Sequence, residues 1–307
     1  MDKVDHTPHN FNVSTKLKKE NMKSICRGLI YPTLTWYRNE QLSKIYGWSN
    51  KYNKLYLGQR GNDYSAHRKK INKYSQIKGK NLLIVGCGTG GDLDSWVKYR
   101  PKKITAIDLF NYTKAWEKQK KYFLNEYNVD VEFIQADLID LSIINDESID
   151  IVGSDAVFEH LNQFSRCMTE IKRVLTKGGF LYSTFGPLWN CWGGDHISGS
   201  DTFNNGYNHI VLDKLAYQEY LDSFGEYSHD SGDGRTWIYN DLFSYYRADD
   251  YVENLKALDF SFLWKSVILD PRSIRFLNEH DMKDQIVTKN LASEDLIISG
   301  MTIIVQK

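Results

Sequence analysis

Cysteine is scarce in this chain: four residues in 307, with no CxxC pair and no metal-ligand spacing among Cys26, Cys87, Cys167 and Cys191. That argues against a disulfide framework or a cysteine-held zinc site and for reduced thiols. Net charge is also missing, since 39 Lys and Arg balance 39 Asp and Glu. No global field therefore recruits nucleic acid or an anionic membrane surface. No apolar run approaches the length of a membrane span. The opening residues, MDKVDHTPHNFNVSTKLKKE, lack the apolar stretch of a secretory signal. These absences predict a cytoplasmic protein that acts on a small molecule. No internal repeat or low-complexity tract is visible. Aromatics, by contrast, are plentiful, with 20 Tyr and 8 Trp. Rings beyond the needs of a core suit a pocket for a ring or sugar, although a Tyr-rich surface is the bland alternative.

The densest signal is NLLIVGCGTGGDL, Asn81–Leu93. Leu82–Val85 read as a fully buried parallel strand. The glycines at 86, 88, 90 and 91 supply a tight turn where backbone N–H groups can approach a nucleotide-like ligand. Gly86, Gly88 and Gly91 fit the dinucleotide fingerprint, while Gly86, Gly88 and Gly90 fit the tighter turn of S-adenosylmethionine enzymes. The glycines alone leave both open. From here strands and helices alternate, as a doubly wound parallel sheet requires. Strands are expected at Lys103–Asp108, Val131–Ala136, Ile149–Gly153 and Phe180–Phe185. Helices are expected over Asn111–Tyr127 and Val157–Leu175, the latter closed by a left-handed cap at Lys177-Gly178-Gly179. After Gly186 the alternation stops until a helix near Arg247–Leu258, and two antiparallel strands close the sheet at Phe260–Leu269 and Leu296–Val305. Residues 1–62 read as a helical N-terminal extension or lid, with helical stretches at Lys16–Cys26 and Trp36–Tyr56. Residues 63–307 read as the main domain, with an insertion at about 186–244.

Three carboxylates follow the glycine turn. Asp108 ends the second strand about 20 residues downstream, where a carboxylate can accept the hydroxyls of a ribose. Asp137 follows the third strand, where it can accept the exocyclic amine of adenine or cap the next segment. Asp155 follows the fourth, at the crevice outside the strand ends.

The ordered series VGCGTGGDL, AIDLF, ADL, IDIVGSDAVFEHL and RVLTKGGFLYSTFGP resembles the class I S-adenosylmethionine-dependent methyltransferases of the bacterial small-molecule methyltransferase domain family. The resemblance covers about a third of the chain firmly. It implies a Rossmann-like, seven-stranded doubly wound sheet with an antiparallel last strand. It also implies S-adenosyl-L-methionine as the cofactor, approached by Gly86, Cys87, Gly88 and Gly90. Asp108, Leu109 and Phe110 would meet the ribose and adenine, Asp137 and Leu138 would read adenine, and Asp155 would line the same crevice.

Methyl transfer is an in-line displacement that needs alignment, exclusion of water and, for a hydroxyl acceptor, removal of a proton. His196, beside Asp195 in the loop after the fifth strand, is the first candidate base; Asp155 and His160 are further catalytic candidates. Trp189, Trp192, His196, Tyr207 and His209 are the candidate acceptor-binding residues. Asp155, Asp195 and His196 could ligate a divalent cation, but their spacing is not diagnostic and no metal is expected. The chain lacks the Asn/Asp-Pro-Pro-Tyr used on nucleobase amines. The expected activity is O-methylation of a sugar or secondary metabolite in a glycan or natural-product pathway. An N-methyltransferase of an amino acid, peptide or amine, and a non-catalytic cofactor-binding partner subunit, are the alternatives. Homo-oligomerisation is left open.

Overall fold

The computed structural model describes residues 4–13, 41, 44, 51–58, 64–228, 233–282 and 288–307. Its centre is an eight-stranded sheet: β1 Lys54–Leu57, β2 Asn81–Val85, β3 Lys103–Asp108, β4 Val131–Gln135, β5 Ile149–Asp155, β6 Leu175–Phe185, β7 Ser261–Leu269 and β8 Ile298–Gln306. The spatial order is β1-β7-β8-β6-β5-β2-β3-β4. Pairings from β6 through β4 are parallel, and β8 runs antiparallel to both β6 and β7.

Why β2 is central follows from its residues. Leu83 and Val85 pack into the cluster on one face of the sheet, with Phe158, Ile171 and Val252. Leu82 and Ile84 pack into the cluster on the other face, with Ile71, Trp96 and Phe123. A strand apolar on both faces is stable only between two layers of helices. The helices that supply those layers include α1 Tyr64–Tyr74, α2 Thr113–Tyr127, α3 Phe164–Val174 and α4 Ala248–Ala257. From β2 the chain runs outward through β3 and β4, then returns to the other side for β5 and β6. The direction of winding thus reverses between β2 and β5, and a crevice opens at their carboxyl ends.

Most expected elements are present within a few residues, with three differences. The strand count is eight, because Lys54–Leu57 pairs in parallel with Ser266–Leu269 at the sheet edge. These residues were expected to end a helical stretch; instead they are part of the sheet. The stretch Lys16–Cys26 and most of Trp36–Tyr56 lie outside the described residues. The helix expected from Val157 begins only at Phe164, after a 3-10 turn at Phe158–His160. Finally, α3 ends at Val174 on an extended residue, and Gly178 takes its left-handed φ of 73° within β6. There its N–H donates to Lys307 O, and Lys307 N–H donates to Gly179 O. The glycine pair turns β6 toward the C-terminus; it does not cap a helix.

The insertion between β6 and α4 carries short helices at Asn208–Val211, Lys214–Asp222 and Arg235–Tyr239. It is anchored by an apolar cluster of its own. Trp192, Tyr207 and Ile210 pack there with Phe276 and Leu296 from the segment after β7.

Candidate active site

The glycine turn is held from several directions. Gly86 N–H and Cys87 N–H both donate to Ile107 O, at 2.9 and 3.0 Å. Trp116 of α2 donates its indole N–H to Gly88 O at 2.7 Å. A Cβ on Gly86 would lie 2.1 Å from Val157 Cγ2, and one on Gly90 would lie 2.7 Å from the Phe133 ring. Those two glycines are thus required by packing inside the protein. Gly88, with φ 49°, has nothing within 4 Å of where its Cβ would stand. Of the three expected to approach the cofactor, only Gly88 turns its open side to free space.

Asp108 is aimed at that space. Its Oδ2 accepts from Gly88 N–H at 2.7 Å and its Oδ1 from Phe110 N–H at 2.9 Å. Burial pushes this carboxyl above its ordinary range, against the opposing pull of those N–H groups and of His6. Leu109 is exposed and its carbonyl accepts from Gln135. Asp137 follows β4 and accepts from Ile139 N–H at 3.1 Å, while Leu138 turns its side chain into the core. Cys87 is inert, its thiol pushed well up by burial and by the neighbouring Asp108 charge. An open Gly88 flanked by a tied carboxylate fits S-adenosylmethionine: backbone for its amino-acid side, Asp108 for its ribose hydroxyls.

Across the crevice, a run of stacked rings leads from the cofactor side into the insertion. Phe110 meets Trp237 edge-on at 5.9 Å between centroids, and Trp237 stacks on His160 at 4.3 Å. His160 stacks on His196 at 5.0 Å, and Phe243 closes on both imidazoles. Trp189 touches Phe243 in turn, at 4.8 Å. His160 Nδ1–H donates to Leu242 O at 2.9 Å, which fixes its tautomer. Burial and the adjacent His196 hold its pKa down at about 3, so it is neutral at physiological pH.

His196 stands on a left-handed backbone, φ 69°, a conformation that costs a side-chain-bearing residue on the order of 1–3 kcal/mol. Its Nε2 is buried and makes no hydrogen bond among the described residues. Burial lowers its pKa, and the Asp195 charge opposes that. Asp195 does not pair with it. The buried Asp195 carboxylate accepts from Ile197 N–H, Ser198 N–H, Ser198 Oγ–H and Tyr217 Oη–H, at 2.6 to 3.1 Å. It is the knot that shapes the 193–200 loop, and through that loop it places His196.

Three of the expected acceptor-binding residues are elsewhere. Trp192 is packed against Phe203 and donates its indole N–H to Phe203 O; Tyr207 donates to Leu296 O. Both belong to the insertion's own core. His209 is buried against Trp189 O at 2.7 Å, with its other nitrogen 3.7 Å from Asp195. Trp192 and Tyr207 have their apolar and hydrogen-bonding needs met inside the insertion, while the buried Nδ1 of His209 has no hydrogen-bond partner among the described residues; all three stand apart from the run of rings at the crevice. Asp155 is no free base either, since Arg68 grips its carboxylate and Tyr182 donates to it at 2.9 Å. Trp237 and Phe243 were not singled out from sequence. Their one signal was position: both lie in the aromatic stretch after the fifth strand, among many rings of equal appearance. Among the described residues no cluster of His, Cys, Asp or Glu is arranged to hold a metal ion.

A doubly wound sheet with a glycine turn and a carboxylate at the next strand end defines a nucleotide-cofactor-binding domain. The kind of domain is given by comparison. Residues 83–183 match the methyltransferase domain family, and this stretch is a class I methyltransferase domain whose cofactor is S-adenosylmethionine. A malonyl-[acyl-carrier protein] O-methyltransferase from Paenibacillus sp. (strain JDR-2) is 31% identical over 109 residues, covering 34% of this chain and 39% of that protein. A fatty-acid O-methyltransferase from Mycolicibacterium smegmatis is 30% identical over 123 residues, covering 38% of this chain and 41% of its own. The chain thus spans about two fifths of the length of the curated relatives it matches. Among solved structures, a SAM-dependent methyltransferase from Methanosarcina mazei covers 78% of this chain and 96% of its own at 19% identity, with a TM-score of 0.49. No helix among the described residues is long and apolar enough to cross a membrane.

Proposed function

We propose that this chain methylates an oxygen of a small, polar, ring-bearing acceptor, a sugar or secondary metabolite, bound between the glycine turn and the insertion. The observation that carries the reading is the continuous run Phe110–Trp237–His160–His196. It begins beside the ribose-holding Asp108 and ends on an imidazole nitrogen with no partner among the described residues. Flat faces of Trp and His suit a ring laid against them. Relatives matched over little more than a third of this chain are named O-methyltransferases, which supports oxygen as the acceptor atom.

S-adenosylmethionine, when bound, supplies a methyl group on a sulfonium centre. The chain's own residues do the rest. Asp108 and the Gly88 turn fix the cofactor's orientation. Trp237 and His160 form a neutral wall that excludes water from the transfer path. His196 Nε2 accepts the acceptor's hydroxyl proton, and the Asp195-knotted loop holds the ring at a single angle.

The test has two parts. Calorimetric titration with S-adenosylhomocysteine is expected to give heat with the wild type and none with Asp108→Ala; silence from the wild type sinks the reading. Transfer of a labelled methyl group is then assayed on aryl glycosides and phenols beside myristic acid and a malonyl thioester. Label on the hydroxyl compounds supports the acceptor class. Label confined to the carboxylates moves the acceptor to the acyl class of the relatives.

A further inference from the structure

The first described residues of the chain lie across the start of α2. Asp5 forms a parallel bridge with Asn111, and His6 N–H donates to Asn111 O at 2.7 Å. Asp5 Oδ2 accepts from Lys114 N–H at 3.3 Å, and Thr7 Oγ1 accepts from Ala115 N–H at 3.1 Å. These are amides that a helix's own N-cap side chain ordinarily satisfies. Tyr112, which holds that place in α2, supplies no such bond. The cap comes instead from 109 and 108 residues away. Further along, Lys118 Nζ donates to Phe11 O at 3.1 Å, and Phe11 packs on the cluster of Tyr112, Ala115 and Trp116. Residues 5–11 therefore form a strap on the helix whose Trp116 holds the glycine turn.

What the strap carries is His6. Its imidazole meets the Phe110 ring edge-on with centroids 5.2 Å apart, and lies 6.1 Å from the ring of Tyr112. It is also near enough to Asp108 to act on the charge of that carboxyl. Phe110 is met edge-on by Trp237 as well. The N-terminal segment and the insertion, far apart in sequence, thus close on one ring, two residues past the carboxylate assigned to the ribose. A purely structural strap needs only its cap and Phe11; neither calls for an imidazole beside Asp108. The strap is also lightly held. Its outer side is exposed at Val4, Pro8, His9 and Asn10, and a segment with few buried contacts opens more readily than the sheet beneath it.

We propose that His6 is a further cofactor-binding residue, which the strap carries onto the nucleoside end of bound S-adenosylmethionine and lifts away for exchange. The inference rests on the cofactor reading and deepens it, since His6 lies outside the residues 83–183 that the family match covers. The chemistry of the two side chains is complementary. An ionised Asp108 can only accept from the ribose hydroxyls, whereas an imidazole beside it can donate to them.

Two ligands separate this role from that of a helix cap. S-adenosylhomocysteine and 5′-methylthioadenosine share the nucleoside, and only the first carries the amino-acid end. His6→Ala leaves Asp5, Thr7 and Phe11 in place, so the strap stays anchored. It is expected to weaken both ligands by the same factor in calorimetric titration, about tenfold, as for one lost hydrogen bond. His6→Gln, which keeps a donor and an acceptor, should recover part of that loss. Asp5→Ala combined with Thr7→Val unpins the strap, and should speed S-adenosylhomocysteine dissociation in stopped flow by about tenfold or more. Should the double variant fail to fold, the His6 variants decide the matter. Wild-type affinities in His6→Ala, with the double variant merely melting earlier, would make the strap a helix cap and overturn the proposal. A loss confined to S-adenosylhomocysteine would overturn it too, since the contact would then lie at the wrong end. If the wild type binds neither ligand, the cofactor reading itself fails and takes this proposal with it, a result distinct from both.

Discussion

The sheet half, Asn81–Phe185, and the insertion, Gly186–Ser244, are built on opposite rules. In the sheet half the glycine turn and the carboxylate that faces it are fixed by backbone: Asp108 by the N–H groups of Gly88 and Phe110, the turn by Ile107 O. In the insertion the candidate acceptor-side groups are fixed by side chains: His196 by the Asp195 knot, Trp237 by stacking on His160 of the sheet half. Backbone anchoring ties a site to the fold and tolerates little change. Side-chain anchoring lets the acceptor side be rebuilt while the cofactor side stays as it is.

A pair of glycines breaks the comparison most sharply. Gly86→Ala forces a Cβ to 2.1 Å from Val157 Cγ2 on a left-handed backbone, and Gly194→Ala forces one to 2.2 Å from Trp189 O. Both overlaps require backbone movement, costing roughly 3 kcal/mol or more. Gly86→Ala is expected to lower S-adenosylhomocysteine affinity more than about 100-fold. Gly194→Ala should abolish methyl transfer and leave that affinity within a few fold. Equal loss of affinity in both variants would show that the halves are one unit.

His196→Ala is the next largest effect. A positioned base contributes roughly 10²- to 10⁴-fold to rate, so turnover should fall by about that much while calorimetric affinity for S-adenosylhomocysteine holds. Turnover at the wild-type level would remove His196 from the reaction.

The two halves also differ in how legible they were. Leu82–Val85, the glycine turn, Asp108 and Asp137 follow local rules, because a strand buried on both faces and a turn without Cβ atoms leave a pattern in consecutive residues. Lys54–Leu57 was missed since an edge strand of four residues has a weak period, and its partner, β7, lies more than 200 residues on. In the insertion, Trp192 and Trp237 are indistinguishable as letters. Which one faces the crevice is decided by Phe203 O and the distant Phe276 on one side and the distant His160 on the other. The Asp195–His196 neighbourhood misled for a related reason: adjacency in sequence is no guide to where a carboxylate points once Ser198 and Tyr217 compete for it. Arg68 carried a faint signal, being three residues before the buried Ile71 on the inner face of α1.

That difference between the tryptophans is itself testable. Trp192→Ala removes a core side chain and should cost about 3–5 kcal/mol in denaturant unfolding, with cofactor affinity retained. Trp237→Ala should cost little stability and raise the KM for the acceptor on the order of tenfold. Reversed phenotypes would exchange their roles.

The smallest effect concerns the joint between the halves. Glu159 is buried in the turn before α3; its Oε1 accepts from Gly186 N–H at 2.9 Å, and its backbone carbonyl accepts from Ser244 N–H. One residue thus ties down both ends of the insertion. Its Oε2 is buried without a partner among the described residues, and burial raises its pKa from the ordinary 4.5 to about 7, against the pull of the Gly186 N–H. The folded protein therefore keeps a proton that the unfolded chain releases near pH 4.5. Stability from this group is full below that pH, falls as pH rises toward 7 and levels off above. At about 1.4 kcal/mol per unit, the loss is bounded at roughly 3 kcal/mol, several degrees in Tm for a chain of this size. Glu159→Gln keeps an acceptor for Gly186 but has nothing to ionise. Thermal melts between pH 5 and 8 should show the wild type losing stability relative to Glu159→Gln. Parallel curves would mean that the carboxyl ionises at its ordinary pH, and that the joint between sheet and insertion is wetter than the packing around Glu159 implies.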